Sequence, residues 1–413
     1  MLHVRFGDWA LFAIFGFAAI GAFCASRLGE LANQRHALAL ILIGAAAMRL
    51  SLLFTEPALS SDIYRYIWDG RVQANGINPY RHVPAAPELA SLRDEAIWPL
   101  INRADYAVTV YPPAAQALFL AITRAGENVV VIKLAMLVFE AVTVAAIIGL
   151  LKQLAMPPTR IAAYAWHPLP IWEIAGNGHV DAAMVALLIL SLLAFLNGRA
   201  LLGGVLATLG ALIKPTAVLA LPVFWRPWDW RLPLLVVATI VAAYLPYLSV
   251  GTGVLGFLGT YIEEEGFRDG GGFRIVWLLQ QITGPLPLAG AVYAGLAALV
   301  LASMALAVSF SADRSARAAI HGLNWLLIAF LVLSTPHYPW YFLALTPFLA
   351  LCPTATAWTL TTASVLLHFV HDGPFVPGYA TRFATFTLAM LTALACDLWS
   401  QYRKALRPAG ETP

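Results

Sequence analysis

The sequence predicts an all-α polytopic membrane protein: a transmembrane bundle of about 13 helices, two of them short, with two large extracytoplasmic loops that carry interfacial helices. Three observations carry that prediction. The 413 residues are 60% hydrophobic and only 11% charged, with a mean hydropathy of +0.76, whereas soluble domains are about one-quarter charged. Apolar runs of about 20 residues recur along most of the chain, broken by Pro and Gly. Nearly every loop placed on the cytoplasmic side carries Lys or Arg, the neutral turn near Cys352 to Thr356 excepted, as the positive-inside bias expects.

The first two spans are expected at 9–26 and 37–54, with Arg27 and Arg35 between them on the cytoplasmic side. That places the N-terminus outside and residues 55–128 in a long, Pro-rich external loop. Within it, residues 113–122 are apolar but too short to cross, and read as a helix lying on the interface. A span near 129–151 then brings Lys152 and Arg160 inside, and a short one near 159–174 returns to the external turn Asn177-Gly178-His179-Val180-Asp181. A span near 180–197 leads to Arg199. The run 200–225 is split by Lys214-Pro215 into two short helices, with Arg226 and Arg231 inside. A span at 232–250 opens the second external loop, 251–287, which holds Glu263-Glu264-Glu265, Arg268, Asp269, three glycines and Arg274. Spans near 288–310, 320–335, 340–352, 356–370 and 380–400 complete the bundle and leave Arg403, Lys404 and Arg407 inside. Residues 1–406 read as one domain, followed by a cytoplasmic tail, 407–413, expected to be disordered.

Composition excludes several functions. No basic block suggests nucleic acid. Cys24, Cys352 and Cys396 are far apart and lack metal or disulfide spacing. No cleavable signal peptide is expected, since a single Arg precedes the first apolar run and no small-residue cleavage site follows it.

The expected topology gathers chemistry on one face of the membrane. Asp62 follows the second span, at the start of Asp62-Ile63-Tyr64-Arg65-Tyr66-Ile67-Trp68-Asp69-Gly70-Arg71. Tyr64, Trp68 and Arg71, at i, i+4 and i+7, share a helix face, and Asp62 just before that helix also suits an N-cap. His179, Asp181, Lys214, the 263–274 loop and His337 join it on the same side. Ionisable groups at membrane depth are costly and usually serve a cavity or substrate.

In chain order, the Ser-Asp-x-Tyr-x-Tyr-x-Trp-Asp-Gly pattern is followed by Val110-Tyr111-Pro112-Pro113, Asn177-Gly178-His179-Val180-Asp181, Leu212-Ile213-Lys214-Pro215-Thr216 and Thr335-Pro336-His337-Tyr338-Pro339-Trp340-Tyr341. Taken together, these segments resemble the GT-C glycosyltransferases, and within them the bacterial polyprenyl-phosphate-mannose-dependent mannosyltransferases. The resemblance implies inverting transfer of a hexose, expected to be mannose, from a polyprenyl-phosphate donor to a glycan or lipid acceptor outside the cytoplasm of a bacterial cell. Asp62 then holds the catalytic carboxylate's position. Lys214, Arg65, Arg71, Arg268 and Arg274 are candidates for the donor phosphate. Tyr64, Trp68, Asn78, Tyr80, Tyr111, His179, Asp181, Glu264, His337, Tyr338 and Trp340 are candidates for sugar or acceptor contact.

The wider fold includes enzymes with paired acids and a divalent cation. Ser61 stands where a second acid would complete that pair, so no metal or other cofactor is expected, although Asp181 or Glu264 would be the replacement ligand.

Each residue also has a plainer reading. Asp62 and Asp181 suit helix starts, Asp69 suits pairing with Arg65, and Lys214 suits snorkelling to the interface. Glu263 to Glu265 suit a solvated charge run, and His337, Tyr338 and Trp340 an aromatic anchor. His167 and Glu173 read as structural. Arg49, buried in a span, would pair with Glu56 or meet a lipid phosphate. The rival function is a transporter or flippase, which the single broken helix at Lys214-Pro215 does not favour. A purely structural subunit would not need the clustered charges.

Overall fold

The structure, a computed structural model, describes residues 7–31, 34–58, 60–286, 288–368 and 378–405. Everything regular among them is helical. The order is α1 (Gly7–Leu31), α2 (Gln34–Leu53), α3 (Asp62–Ala74), α4 (Pro113–Thr123), α5 (Val129–Gln153), α6 (Asp181–Leu196), α7 (Ala200–Ala211), α8 (Arg231–Tyr244), α9 (Leu258–Glu264), α10 (Arg274–Thr283), α11 (Ala289–Ser309), α12 (Ala316–Ser334), α13 (Ala355–Ala363) and α14 (Tyr379–Ala405), joined by shorter helical turns. Among the described residues, six helical segments are long and apolar enough to cross a membrane. The tail beyond Leu406 lies outside the described residues.

Element boundaries follow local chemistry. Asn128 caps α5, its side chain accepting from the Val131 N–H, and Ser315 and Thr354 do the same for α12 and α13. Asp62 is not the cap of α3. It is the first helical residue, with Ser61 before it, so the carboxylate sits in the first turn, where the helix dipole favours a negative charge.

The expected break at Lys214-Pro215 is present: α7 ends at Ala211, and Pro215–Ala220 forms a 3₁₀ turn. The expected span at 159–174 is not one helix. It is split at Trp166-His167, ahead of Pro168 and Pro170, and finishes as a wide π turn, Ile171–Gly176. The apolar run at 232–250 does not stop at its predicted end either. Helical turns continue through Leu255, bend at Gly251, and pass into α9.

The segment 113–122 does form a helix, and α4 lies across α3. Gly70 permits this approach: a Cβ there would fall 2.5 Å from the Thr123 side chain and 2.6 Å from the Phe119 carbonyl oxygen. Tyr66 stacks flat on Phe119, with ring centroids 4.6 Å apart. Arg49 meets neither Glu56 nor lipid. Its guanidinium forks onto Glu140 of α5 at 3.0 and 2.6 Å and donates to the Ala165 carbonyl at 2.7 Å. This ties α2, α5 and the broken 158–176 segment together where an unpaired charge would be very costly.

Candidate active site

α3 ends the second apolar helix's connection to the long loop, and its N-terminus opens on a cavity of about 420 Å³. Asp62 stands in the wall. Asn102 donates to its Oδ1 at 3.1 Å and the Tyr111 hydroxyl to its Oδ2 at 3.2 Å. Each carboxylate oxygen therefore accepts one protein hydrogen bond and keeps a lone pair available. Tyr111 is held in turn, because Tyr80 donates from its hydroxyl to the Tyr111 carbonyl at 2.7 Å.

Three cations line the same cavity: Arg65, Arg103 and Lys214. Arg65 donates through Nε to Asp69 at 2.8 Å and through one terminal nitrogen to the Ala107 carbonyl at 3.1 Å. Among the described residues its other terminal nitrogen finds no hydrogen-bond partner, and Arg65 lines the cavity. Lys214 bonds both oxygens of Asp181, at 2.8 and 2.7 Å, and lies 4.6 Å from the centroid of the Tyr341 ring. Arg103 adopts a left-handed backbone conformation (φ 53°) and pairs with Glu264 at 2.8 Å. For a residue with a Cβ that conformation is strained.

Aromatic rings form much of the remaining wall. Trp340 is stacked between Tyr338, at 4.7 Å, and His179, at 4.3 Å. The hydroxyls of Tyr261 and Tyr341 lie 3.1 Å apart. Behind Trp340, Glu173 sits between two histidines, 3.2 Å from His179 Nε2 and 3.1 Å from His368 Nε2, and all three side chains are almost fully buried. His368 also lines the cavity. Gly178 makes the turn possible, since its φ is +70° and a Cβ would fall 2.5 Å from Ile63 of α3.

At the rim, Glu265 takes a bond from Tyr338 at 3.2 Å and lies 2.9 Å from His337 Nδ1, while His337 Nε2 is 2.9 Å from the Gly272 carbonyl. Both ring nitrogens thus face oxygen atoms of the protein. Burial raises the Glu265 pKa, but the hydrogen bond and charge of His337, with help from Tyr338 and Arg103, outweigh it and hold the carboxyl below its ordinary range.

Residues 8–229, just over half of the chain, match the family described as alpha-(1->6)-mannopyranosyltransferase, N-terminal domain. The chain belongs to that family. It is 29% identical over 190 residues to alpha-(1->6)-mannopyranosyltransferase A of Mycobacterium tuberculosis, covering 43% of this chain and 34% of the relative. It is 28% identical over 191 residues to the protein of the same name from Corynebacterium glutamicum, covering 43% and 37%. The chain thus spans about a third of the length of these curated relatives. No solved structure matches it significantly. The family match covers Asp62, Asn102, Arg103, Tyr111, His179, Asp181 and Lys214. The opposite wall, with Tyr261, Tyr338, Trp340, Tyr341 and His368, comes from residues beyond the match.

Of the residues singled out in the sequence, the cavity wall includes Asp62, Arg65, Tyr111, Lys214, Tyr338 and Trp340. Immediately behind that wall stand His179 and Asp181, while Glu264 and His337 are at the rim through Arg103 and Glu265.

The others are elsewhere. Arg71 is taken by Asp94 at 2.6 Å and Glu127 at 2.7 Å, on the side of α3 that packs on the loop. Arg268 is exposed and pairs with Glu263. Arg274 is fully buried, its guanidinium 4.4 Å from the rings of both Phe383 and Phe386. Tyr64 bonds Glu56 at 3.4 Å, Trp68 packs on Trp98, and Asn78 ties the loop to Tyr247 and Ser249.

Asp69 does pair with Arg65, as its plain reading had it. Glu263 to Glu265 are not one solvated run, because Glu265 is buried and Glu264 is in an ion pair. Glu173, read as structural, has cavity-lining His368 as a partner.

Asn102, Arg103, Tyr261 and His368 carry no local motif and were not found by sequence reasoning. Tyr341 and Glu265 were visible only as members of longer motifs. Among the described residues, no group of three or more His, Cys, Asp or Glu is arranged to hold a metal ion. The two acids considered as ligands, Asp181 and Glu264, are both engaged by cations.

Proposed function

We propose that the protein is an integral-membrane GT-C-type glycosyltransferase that moves a hexose, mannose in this reading, from a polyprenyl-phosphate donor to a hydroxyl of a glycan or lipid acceptor, with Asp62 as general base. One observation carries the reading. A carboxylate held by Asn102 and Tyr111 shares a cavity of about 420 Å³ with three cations and a cluster of aromatic rings. The relatives' printed activity and the family membership support mannose as the sugar.

The acceptor hydroxyl gives its proton to Asp62 as its oxygen bonds to the anomeric carbon. The bond from that carbon to the phosphate oxygen breaks on the opposite face, and the electron pair leaves with the phosphate. One displacement inverts the anomeric carbon, so an α-linked product calls for a β-linked donor.

Negative charge on the departing phosphate is met by cations already in place. Arg65 has an open guanidinium edge, and Arg103 and Lys214 are fixed by their acidic partners. Trp340, Tyr338 and Tyr341 offer faces for the sugar ring or walls for the first part of the lipid. Deprotonation of the acceptor and phosphate departure are thus divided between two sets of side chains, and the reaction as written needs no cofactor. In this reading the cavity faces away from the cytoplasm.

The test is transfer of labelled mannose from polyprenyl-phosphate-mannose to membrane acceptors, comparing wild type with Asp62→Asn at equal expression. Loss of a general base costs about 10²- to 10⁴-fold. A fully active Asp62→Asn variant sinks the assignment of the base. A wild-type protein that transfers no sugar, tried also with other lipid-linked sugars, sinks the proposed reaction.

A further inference from the structure

A second cavity, of about 650 Å³, lies at the other end of the molecule. α7 begins on it, at Arg199 and Ala200, and runs to Lys214 on the first cavity. α12 does likewise, from Arg314 and Ala316 here towards Phe330 in the first cavity's wall. At about 1.5 Å per residue, the stretch of α12 from Ala316 to Phe330 separates the two cavities by about 21 Å, a large part of the roughly 30 Å of a bilayer's hydrocarbon core.

Among the described residues, four arginines from three inter-helix regions line this cavity: Arg199 between α6 and α7, Arg226 ahead of α8 and Arg231 at its first position, and Arg314 between α11 and α12. Only one acid lines it with them, Asp229, and Arg231 takes both of its oxygens, at 2.9 and 2.8 Å. Arg314 is held by the carbonyl groups of Ser309 and Trp225, which orient it without cancelling its charge. Among the described residues, the side chains of Arg199 and Arg226 form no hydrogen bond or salt bridge, although the charge of Arg226 reaches Asp229.

A bias of Arg towards one side of the membrane accounts for their being in loops. It does not account for three separate inter-helix regions converging on one concave site with a single acid. The deeper walls are apolar, including Phe195, Phe224 and Leu232. Trp228 and Trp230, in the turn that carries Arg226, are 80% and 66% exposed, as suits side chains at a membrane interface.

We propose that this cavity binds a phosphate anion, and that its geometry suits the phosphodiester headgroup of an anionic lipid in the leaflet opposite the first cavity. Arg forks match phosphate oxygens in pairs. The apolar wall and exposed tryptophans supply what acyl chains need, and a basic pocket between helices at a membrane surface is a chemically suited place for such a headgroup.

The test uses the full chain purified in neutral detergent, with binding read by native mass spectrometry and by the shift in unfolding temperature. The probes are dioleoyl phosphatidylglycerol, dioleoyl phosphatidylcholine and inorganic phosphate. Phosphatidylglycerol is expected to bind and raise the unfolding temperature, phosphatidylcholine is not, and the effect should fall as salt is added. Arg199→Gln with Arg226→Gln should weaken binding about thirtyfold, for two cations removed near an anionic headgroup. Arg268→Gln, on the other face, should leave it unchanged.

Neither guanidinium is held by a hydrogen bond or salt bridge among the described residues, so the double variant, which keeps the backbone contacts, should melt close to wild type in phosphatidylcholine. Should it not fold, the salt dependence of wild type decides. If inorganic phosphate binds with the same dependence on Arg199 and Arg226, the phosphate site stands and its source is soluble. If phosphate alone fails, the source is lipid. Equal binding of phosphatidylglycerol and phosphatidylcholine, wild-type affinity in the folded double variant, or salt-independent binding overturns the proposal.

Discussion

Asp62 has neighbours at positions 102 and 111, and its surroundings rather than its identity make it a plausible base. Tyr111→Phe removes one hydrogen bond to a charged group, worth about 1.5–3 kcal/mol, which can act on rate only if it orients the carboxylate. Initial-rate measurements should show kcat down about tenfold or more with KM little changed. An unchanged kcat means that Tyr111 is only packing.

The Lys214–Asp181 pair makes a different case. Lys214→Met alone leaves Asp181 buried and uncompensated, expected to cost about 3–5 kcal/mol. Lys214→Met with Asp181→Asn should recover most of that stability in thermal melts while sugar transfer stays low. Recovery of both stability and transfer assigns the lysine a structural role alone.

Glu265 predicts a pH dependence. Its carboxyl is held below the ordinary glutamate range near 4.5 in the folded protein. Its contribution to stability is therefore fully present above that range and is lost as pH falls through the lower folded value. His337→Gln removes the main partner, so acid melting curves of wild type and variant should converge at low pH and separate above about pH 4.5.

Among the helices, the α3–α4 crossing is a close packing contact near the site. It depends on Gly70, because both Thr123 and the Phe119 backbone stand where a Cβ would go. Gly70→Val should lower stability by about 1–3 kcal/mol or more, measured as unfolding temperature in detergent. A variant as stable as wild type argues that α4 does not dock here. The same crossing explains Arg71: it shares a helix face with Tyr64 and Trp68, as spacing predicts, but that face meets the loop at Asp94 and Glu127 and not the cavity. Helical periodicity says which residues lie together. It does not say what stands opposite.

For the molecule as a whole, α7 and α12 each run between two cation-lined cavities along the bundle, and this separation is testable without knowing the substrate. With Cys24, Cys352 and Cys396 replaced, Arg268→Cys in a loop and Arg317→Cys in the first turn of α12 place single thiols at exposed positions near the two ends. On intact cells an impermeant thiol reagent should label position 268 and leave 317 until the membrane is opened. Labelling of both from one side refutes the expected topology.

The apolar runs, the helix break at Lys214-Pro215 and the charged Asp62 stretch were legible in the amino-acid order, because hydropathy and the backbone limits of proline act over a few residues. The positions that complete the cavity were not. Asn102, Arg103, Tyr261 and His368 gain meaning only by meeting α3 across tens to hundreds of residues, and nothing in their own neighbourhoods marks them. The partners of Arg49, Lys214 and Glu173 were equally hidden, since charge pairing is a matter of distance in space. Sequence by itself determined an α-helical membrane protein with its ionisable groups concentrated at a few loops. Tertiary structure decided which of those groups share a cavity, because burial forces each charge to find its counterpart wherever the packed helices place one.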